Sequence, residues 1–204
     1  MPPAYAMTWT MEFNNIQPSE ITFKQKLFSS QFSVIFLVDV RGKTCVMKVD
    51  HDNGPVKPAP PERETNIYIC EPTAYRRLKK HGLCDCGIVP QFYGTMERLD
   101  LRLFQPHLKM LLDDKYPPNA VFLECIPNME MLLPQNYTRK RMENLVHGIR
   151  EIHRALVLHC DAKPRNMMVV RDDPERVVWL DFDRAQTYHA DKLTERQRRF
   201  LEDY

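Results

Sequence analysis

Eight residues, His159-Cys160-Asp161-Ala162-Lys163-Pro164-Arg165-Asn166, are followed fifteen residues after Asn166 by Asp181-Phe182-Asp183. These two segments constrain the fold more than any other feature of the chain. Ahead of Asp181 the apolar run Val177 to Leu180 reads as a strand. Ahead of His159, the residues Met142, Leu145, Val146, Ile149, Ile152, His153 and Leu156 recur at steps of three and four, with Thr138 as an N-cap. That spacing predicts one long amphipathic helix delivering the chain to His159, with His153 packed on its apolar stripe. A bare polar turn between helix and strand would need none of the order in the two polar segments.

The first segment fits the pattern H-x-D-x-K-P-x-N, and on it the chain resembles the protein-kinase-like superfamily, whose serine/threonine members write H-R-D-L-K-P-E-N. The resemblance implies an α+β, bilobal protein-kinase-like fold with a β-rich N-lobe and a truncated, mainly helical C-lobe. It also implies roles. Asp161 would orient or deprotonate an attacking hydroxyl, and Lys163 would neutralise charge on the moving phosphoryl group. Asn166 and Asp181 would hold Mg²⁺ against the phosphates of ATP. His159 would orient the loop by hydrogen bonding and do no chemistry.

Such a fold needs a lysine on an upstream strand and a helical glutamate to hold it. Val46-Met47-Lys48-Val49 supplies the lysine. The segments 32–40 and 44–49 are rich in β-branched and aromatic residues and meet at Arg41-Gly42, so a hairpin is expected. Glu71 is the favoured partner, with Glu62 and Glu64 as alternatives. Apolar residues at 67, 70, 74, 75 and 78 recur at helical spacing around it, and Pro72 is the discordant residue. The helix either begins near Glu71, with the proline in its first turn, or is kinked there. Val121 to Pro127 resembles the strand and hinge between lobes, which makes Glu124, Cys125 and Ile126 the expected contacts to the nucleotide base. The implied organisation is a leader over 1–19, an N-lobe over 20–123 with an inserted loop 51–64 and an inserted helix 99–118, a hinge over 124–127, and a C-lobe over 128–204.

The chain also departs from the pattern. Its six glycines stand at 42, 54, 82, 87, 94 and 148, so no G-x-G-x-x-G loop covers the phosphates. Ser29 and Ser30 occupy that place as small residues able to donate to phosphate. Asp183 replaces the glycine of D-F-G, as an acid often does in aminoglycoside and choline kinases. It could be a further metal ligand, but a cap for the following segment is the favoured reading. Only 21 residues follow Asp183, without an A-P-E motif. Thr194-Glu195-Arg196-Gln197 reads as a capping box opening one last helix. With no room for a helical platform that binds peptides, a small-molecule acceptor is expected, and the short lower lobe leaves room for a protein partner that completes it. The chain is similar to short kinase-like proteins of filamentous fungi, a likeness that names no substrate.

Composition limits the remaining classes. With 204 residues, 43% hydrophobic and 27% charged, the chain can bury a full core, and it has no run of eighteen apolar residues and no signal pattern. No membrane association and a cytoplasmic location are expected. The six cysteines contain no C-x-x-C and read as reduced thiols; His81, Cys84 and Cys86 make a poor metal spacing. The net charge of +2 argues against a general nucleic-acid binder. Clusters at 76–80, 139–141 and 196–199 nonetheless leave RNA or tRNA as a partner. The leading expectation is a compact phosphotransferase using ATP and Mg²⁺. Adenylyl or aminoacyl transfer, for example tRNA-dependent peptide formation, is the alternative on the same scaffold. A nucleotide-binding pseudokinase acting through a partner is the non-enzymatic one.

Overall fold

The computed structural model describes residues 12–54 and 63–202. Most of the expected leader, residues 55–62 of the proline-rich loop and Glu62 therefore lie outside the described residues. In chain order the regular elements are β1 (Ile21–Ser29), β2 (Ser33–Val40), β3 (Lys43–Asp50), α1 (Ile67–Lys80), β4 (Phe92–Met96), β5 (Ala120–Glu124), β6 (Met129–Met131), α2 (Arg139–Arg154), β7 (Val157–Leu158), β8 (Met167–Val170), β9 (Asp173–Trp179), β10 (Gln186–Thr187) and α3 (Glu195–Glu202). The chain is α+β.

Five strands form one antiparallel sheet in the order β1-β2-β3-β5-β4. Arg41 and Gly42 both have positive φ, 51° and 77°, the two left-handed residues that a tight hairpin turn between twisted strands requires. Strand parity then sorts β3. Cys45, Met47 and Val49 join Val34, Phe36, Val38, Ala120 and Phe122 in one apolar layer. Val46, Lys48 and Asp50 point to the opposite face, the one that α1 covers through Ala74, Tyr75 and Leu78.

Helix α1 starts at Ile67, capped by the Asn66 side chain accepting from the Tyr68 N–H, and Pro72 stands inside it. The start is thus four residues ahead of Glu71, and packing of Cys70, Ala74, Tyr75 and Leu78 outweighs the one donor the proline removes. Glu64, the alternative partner, spends its carboxylate on the backbone N–H groups of Thr65 and Asn66 just before the helix. Helix α2 has Thr138 as its N-cap, the side chain accepting from Arg141 N–H, and it buries Leu145, Ile149, Ile152 and His153. Helix α3 opens with the reciprocal Thr194 and Gln197 bonds of a capping box.

The segment 99–118 corrects an expectation. It carries two short 3-10 turns, Leu101–Phe104 and Lys109–Leu111, in place of one inserted helix. Pro106 sits between them; it supplies no N–H and pushes the preceding residue out of helical geometry. The turns still do a helix's work of burial, setting Leu99, Phe104, Leu108 and Leu111 onto the outer face of the sheet.

Below the sheet, β6, β8 and β9 form a second antiparallel sheet, and β7 pairs with β10. Trp179 anchors β9 to α2, its Nε1 donating to Leu145 O at 3.1 Å. Gly148 makes that contact possible, since a Cβ there would meet the Trp179 ring at 3.1 Å and Ile88 at 3.3 Å. The ring is buried and hydrogen-bonded, so it has little room to yield. Gly148→Ala is expected to destabilise the fold by ~1–2 kcal/mol despite its better helix propensity, an overpacking cost outweighing ~1 kcal/mol of propensity. A urea midpoint that rises in the variant contradicts this.

Candidate functional site

Lys48 is buried on the α1 face of β3, and its Nζ donates to Glu71 Oε2 at 2.9 Å and to Asp181 Oδ1 at 2.7 Å. Asp50, two residues along the same face, stands 3.8 Å away. Burial alone would lower the Lys48 pKa, but Asp50, Glu71, Asp181 and Asp183 together hold it well above the ordinary value. The ammonium therefore stays charged at neutral pH. Burial drives the acids the other way: the Glu71 carboxyl is pushed up to about 8 and Asp50 is raised as well. Glu71 Oε1 is buried without a hydrogen-bond partner among the described residues.

The two polar segments meet through the backbone of Leu180. His159 Nε2 lies 2.9 Å from Leu180 O, and Leu180 N–H donates to Asn166 O at 3.0 Å. Burial lowers the His159 pKa, so the ring is neutral. Its Nε2–H donates to Leu180, and Nδ1 accepts from the Asp161 N–H at 3.3 Å. Asn166 Nδ2 then donates to both Asp161 O, at 2.9 Å, and Asp161 Oδ2, at 3.1 Å. Phe182, fully buried against Tyr75 and His159, fixes the Asp-Phe-Asp turn to α1. Cys160 and Asp181, next to and within the site, have φ of 61° and 63°, a left-handed backbone that costs a non-glycine residue of order 1 kcal/mol.

Asp161 carries cations on both oxygens. Lys163 Nζ is 3.0 Å from Oδ1, and the Arg165 guanidinium pairs with Oδ2. Burial would raise the Asp161 pKa, but Lys163, Arg165 and Arg184 outweigh it and hold the carboxyl below its ordinary value. It is ionised at neutral pH.

No family model matches the chain. Over an alignment 135 residues long that covers 60% of this chain, the sequence is 26% identical to the human protein named myosin light chain kinase family member 4. The chain spans about a third of that relative's length, 35%. The likeness is distant and supports a kinase-like relationship at most.

The remaining expected residues lie less tightly. Ser30 Oγ accepts from the Phe32 and Ser33 N–H groups and so closes its own turn, while Ser29 is exposed. Neither serine hydrogen-bonds to Lys48, Asp161 or Asp181. Glu124 ends β5 with its carboxylate accepting from Gln91 N–H and Arg176; Cys125 is half-buried and Ile126 buried. Of the basic clusters, Arg139 and Arg199 pair with Glu143 and Glu195, and Arg76 with Glu12. No group of three or more His, Cys, Asp or Glu side chains is arranged to hold a metal among the described residues, at His81, Cys84 and Cys86 or elsewhere. No described helix is long and apolar enough to cross a membrane.

Two acids were misjudged or missed from sequence. Asp183 does not act as a cap, because no helix starts in the residues directly after it, where β10 follows. Its Oδ1 is buried without a hydrogen-bond partner among the described residues, and its pKa is raised to about 6 by burial and by Asp181. Asp50 was missed, although strand parity with Lys48 places it on the same face. For Asp183 the folded-state pKa exceeds the unfolded value. Its contribution to stability is therefore full below pH 3.8 and is lost as pH rises through about 6. In the metal-free protein Asp183→Asn should be more stable than wild type at pH 8 by ~2 kcal/mol, and the gap should close by pH 4. Urea midpoints of both proteins across that range test it; a gap independent of pH rejects it.

Proposed function

We propose that the chain is a phosphotransferase of bilobal, protein-kinase-like build that moves a phosphoryl group from ATP, with Mg²⁺, to a small-molecule acceptor. One observation carries the reading: Lys48, from the sheet, is held at once by Glu71 of α1, at 2.9 Å, and by Asp181, at 2.7 Å, beyond which Asn166 and Asp161 are hydrogen-bonded together. On this reading 20–123 is the N-lobe, 124–127 the hinge and 128 onward the C-lobe, and kinship with short fungal kinase-like proteins belongs with it.

Each residue then has a task. Lys48 clamps the nucleotide phosphates, and Glu71 keeps its ammonium in place. Glu124, Cys125 and Ile126 border the base, and Ser29 and Ser30 stand where a phosphate-covering loop would. Asp161 accepts the acceptor's hydroxyl proton on its carboxylate, and Lys163 offsets charge on the phosphoryl oxygens. Asn166 and Asp181 would hold Mg²⁺. The donor set fits: amide and carboxylate oxygens suit a hard cation, Asp183 Oδ1 beside them has no hydrogen-bond partner among the described residues, and Mg²⁺ needs only one or two carboxylates when phosphates and water complete its shell. Bound there, the ion would supply charge neutralisation to the phosphates.

Incubating the purified chain with γ-labelled ATP, Mg²⁺ and a cell extract tests the proposal, with thermal shift by ATP and Mg²⁺ alongside. Label in a metabolite and a raised midpoint are expected. A raised midpoint with no label moved anywhere selects the pseudokinase, which the direct Lys48 to Asp181 contact also suits. No midpoint change at millimolar ATP ends the phosphotransferase reading, and label-free modification of tRNA selects the aminoacyl-transfer alternative.

A further inference from the structure

The charges of the site are sorted by sign. Around Lys48 stand four carboxylates, Asp50, Glu71, Asp181 and Asp183, against one ammonium. Around Asp161 the balance reverses. Lys163 and Arg165 pair with its two oxygens while remaining 55% and 52% exposed, and the Asp161 carboxylate itself is only 4% exposed. Arg184 acts electrostatically on both Asp161 and Asp183, and Arg63 acts on neighbouring Cys160. Among the described residues neither Arg184 nor Arg63 has a carboxylate within ion-pair distance. Among the described residues one acid thus faces three cations, Lys163, Arg165 and Arg184.

Fold stability does not account for this surplus. Exposed ion pairs contribute ~0–1 kcal/mol, and a single cation would already neutralise Asp161. A base that must take a proton is also poorly served by a cation on each oxygen, since both hold the negative charge in place. The surplus makes sense if part of it belongs to a ligand. Arginine's planar, multi-donor guanidinium matches a phosphate or carboxylate edge, where a neutral hydroxyl compound would gain little from it.

We infer that the acceptor carries an oxyanion, a phosphate or carboxylate group, and that Arg165 with Arg184 holds it beside Asp161. This rests on the phosphotransfer reading for calling the ligand an acceptor. Arg165 then serves two partners in turn. In the free protein it ties up Asp161 Oδ2; when the acceptor's oxyanion draws the guanidinium away, that oxygen is released to receive the hydroxyl proton. The arrangement favours anionic acceptors both in binding and in activating the base. The same oxyanion could instead be the terminal phosphate of the nucleotide, and the test separates the two sources.

Inorganic phosphate is titrated at low, matched ionic strength into the full chain, followed by NMR shifts, for wild type, the double variant Arg165→Gln/Arg184→Gln, and Arg165→Lys. Phosphate should bind wild type about tenfold or more tightly than the double variant, with intermediate affinity for Arg165→Lys. Both arginines are exposed, so unchanged melting confirms folded variants. Phosphate should still bind when Mg²⁺ and a non-hydrolysable ATP analogue saturate the protein. Equal affinity in the double variant, or no binding to wild type, overturns the inference. Expulsion of phosphate by the analogue also overturns it, assigning the arginines to the nucleotide. Failure of the analogue itself to bind, with phosphate still held through the arginines, removes the phosphotransfer reading and leaves the oxyanion site standing.

Discussion

Replacing Lys48 by Met is expected to destabilise the fold by ~3–5 kcal/mol at pH 8, lowering Tm by about 10 °C, because it strips the one cation from a buried set of carboxylates. Lys48 is 8% exposed, Asp50 5% and Glu71 1%, so solvent cannot take over the neutralising role. The side chains are of similar length, which leaves charge as the main change. The acids can escape only by binding protons: Glu71, raised to about 8, does so already near pH 8, and Asp50, which burial also raises, follows as pH falls, so the deficit should shrink toward pH 5. Adding Glu71→Gln should change the variant's stability little, since Glu71, already pushed up to about 8 with the ammonium beside it, is neutral once that ammonium is gone. Thermal melts of the two variants at pH 5 and pH 8 decide the matter. A Tm at pH 8 within about 2 °C of wild type would show that the ammonium is not what holds this group together.

Asp161→Asn is expected to lower the rate of label transfer by about 10²–10⁴-fold, the usual worth of a positioned general base. The substitution is nearly isosteric, and the loop's backbone contacts run through His159 and Asn166, so folding and ATP-analogue binding should change little. Lys163, Arg165 and Arg184 hold the Asp161 carboxyl below its ordinary pKa, so in wild type the base form persists into acid and the rate should stay level down to about pH 5. Single-turnover transfer from labelled ATP, with analogue affinity measured alongside, checks both points. An undiminished rate in a variant that binds nucleotide normally removes Asp161 from the chemistry.

Much of this arrangement was legible because its causes are local. The Arg41-Gly42 turn, the Thr138 and Thr194 caps, and the apolar stripe from Met142 to Ile152 are decided by neighbours in sequence. The alternation that sets Lys48 opposite Met47 and Val49 is equally local. What the sequence concealed depends on tertiary packing. Helix α1 runs through Pro72 because Cys70 before it and Ala74, Tyr75 and Leu78 after it are buried, a gain no propensity scale contains. Residues 99–118 looked like a helix by length and apolar content, but Pro106 divides them. Asp183 looked like a cap because its spacing from Asp181 says nothing about which carboxylate is desolvated. The two cations on Asp161 depend on how a seven-residue loop folds back on itself, which no periodicity encodes.

The clamp on Leu180 has a mechanical consequence. With its carbonyl held by His159 and its N–H by Asn166, the residue behaves as a rivet through two layers of chain. Asp161 and Asp181 are thereby set at a fixed spacing, like the jaws of a locked calliper, before any ligand arrives. The Lys48 to Asp181 contact stands apart from this clamp, charge on charge, and can part and re-form without disturbing it.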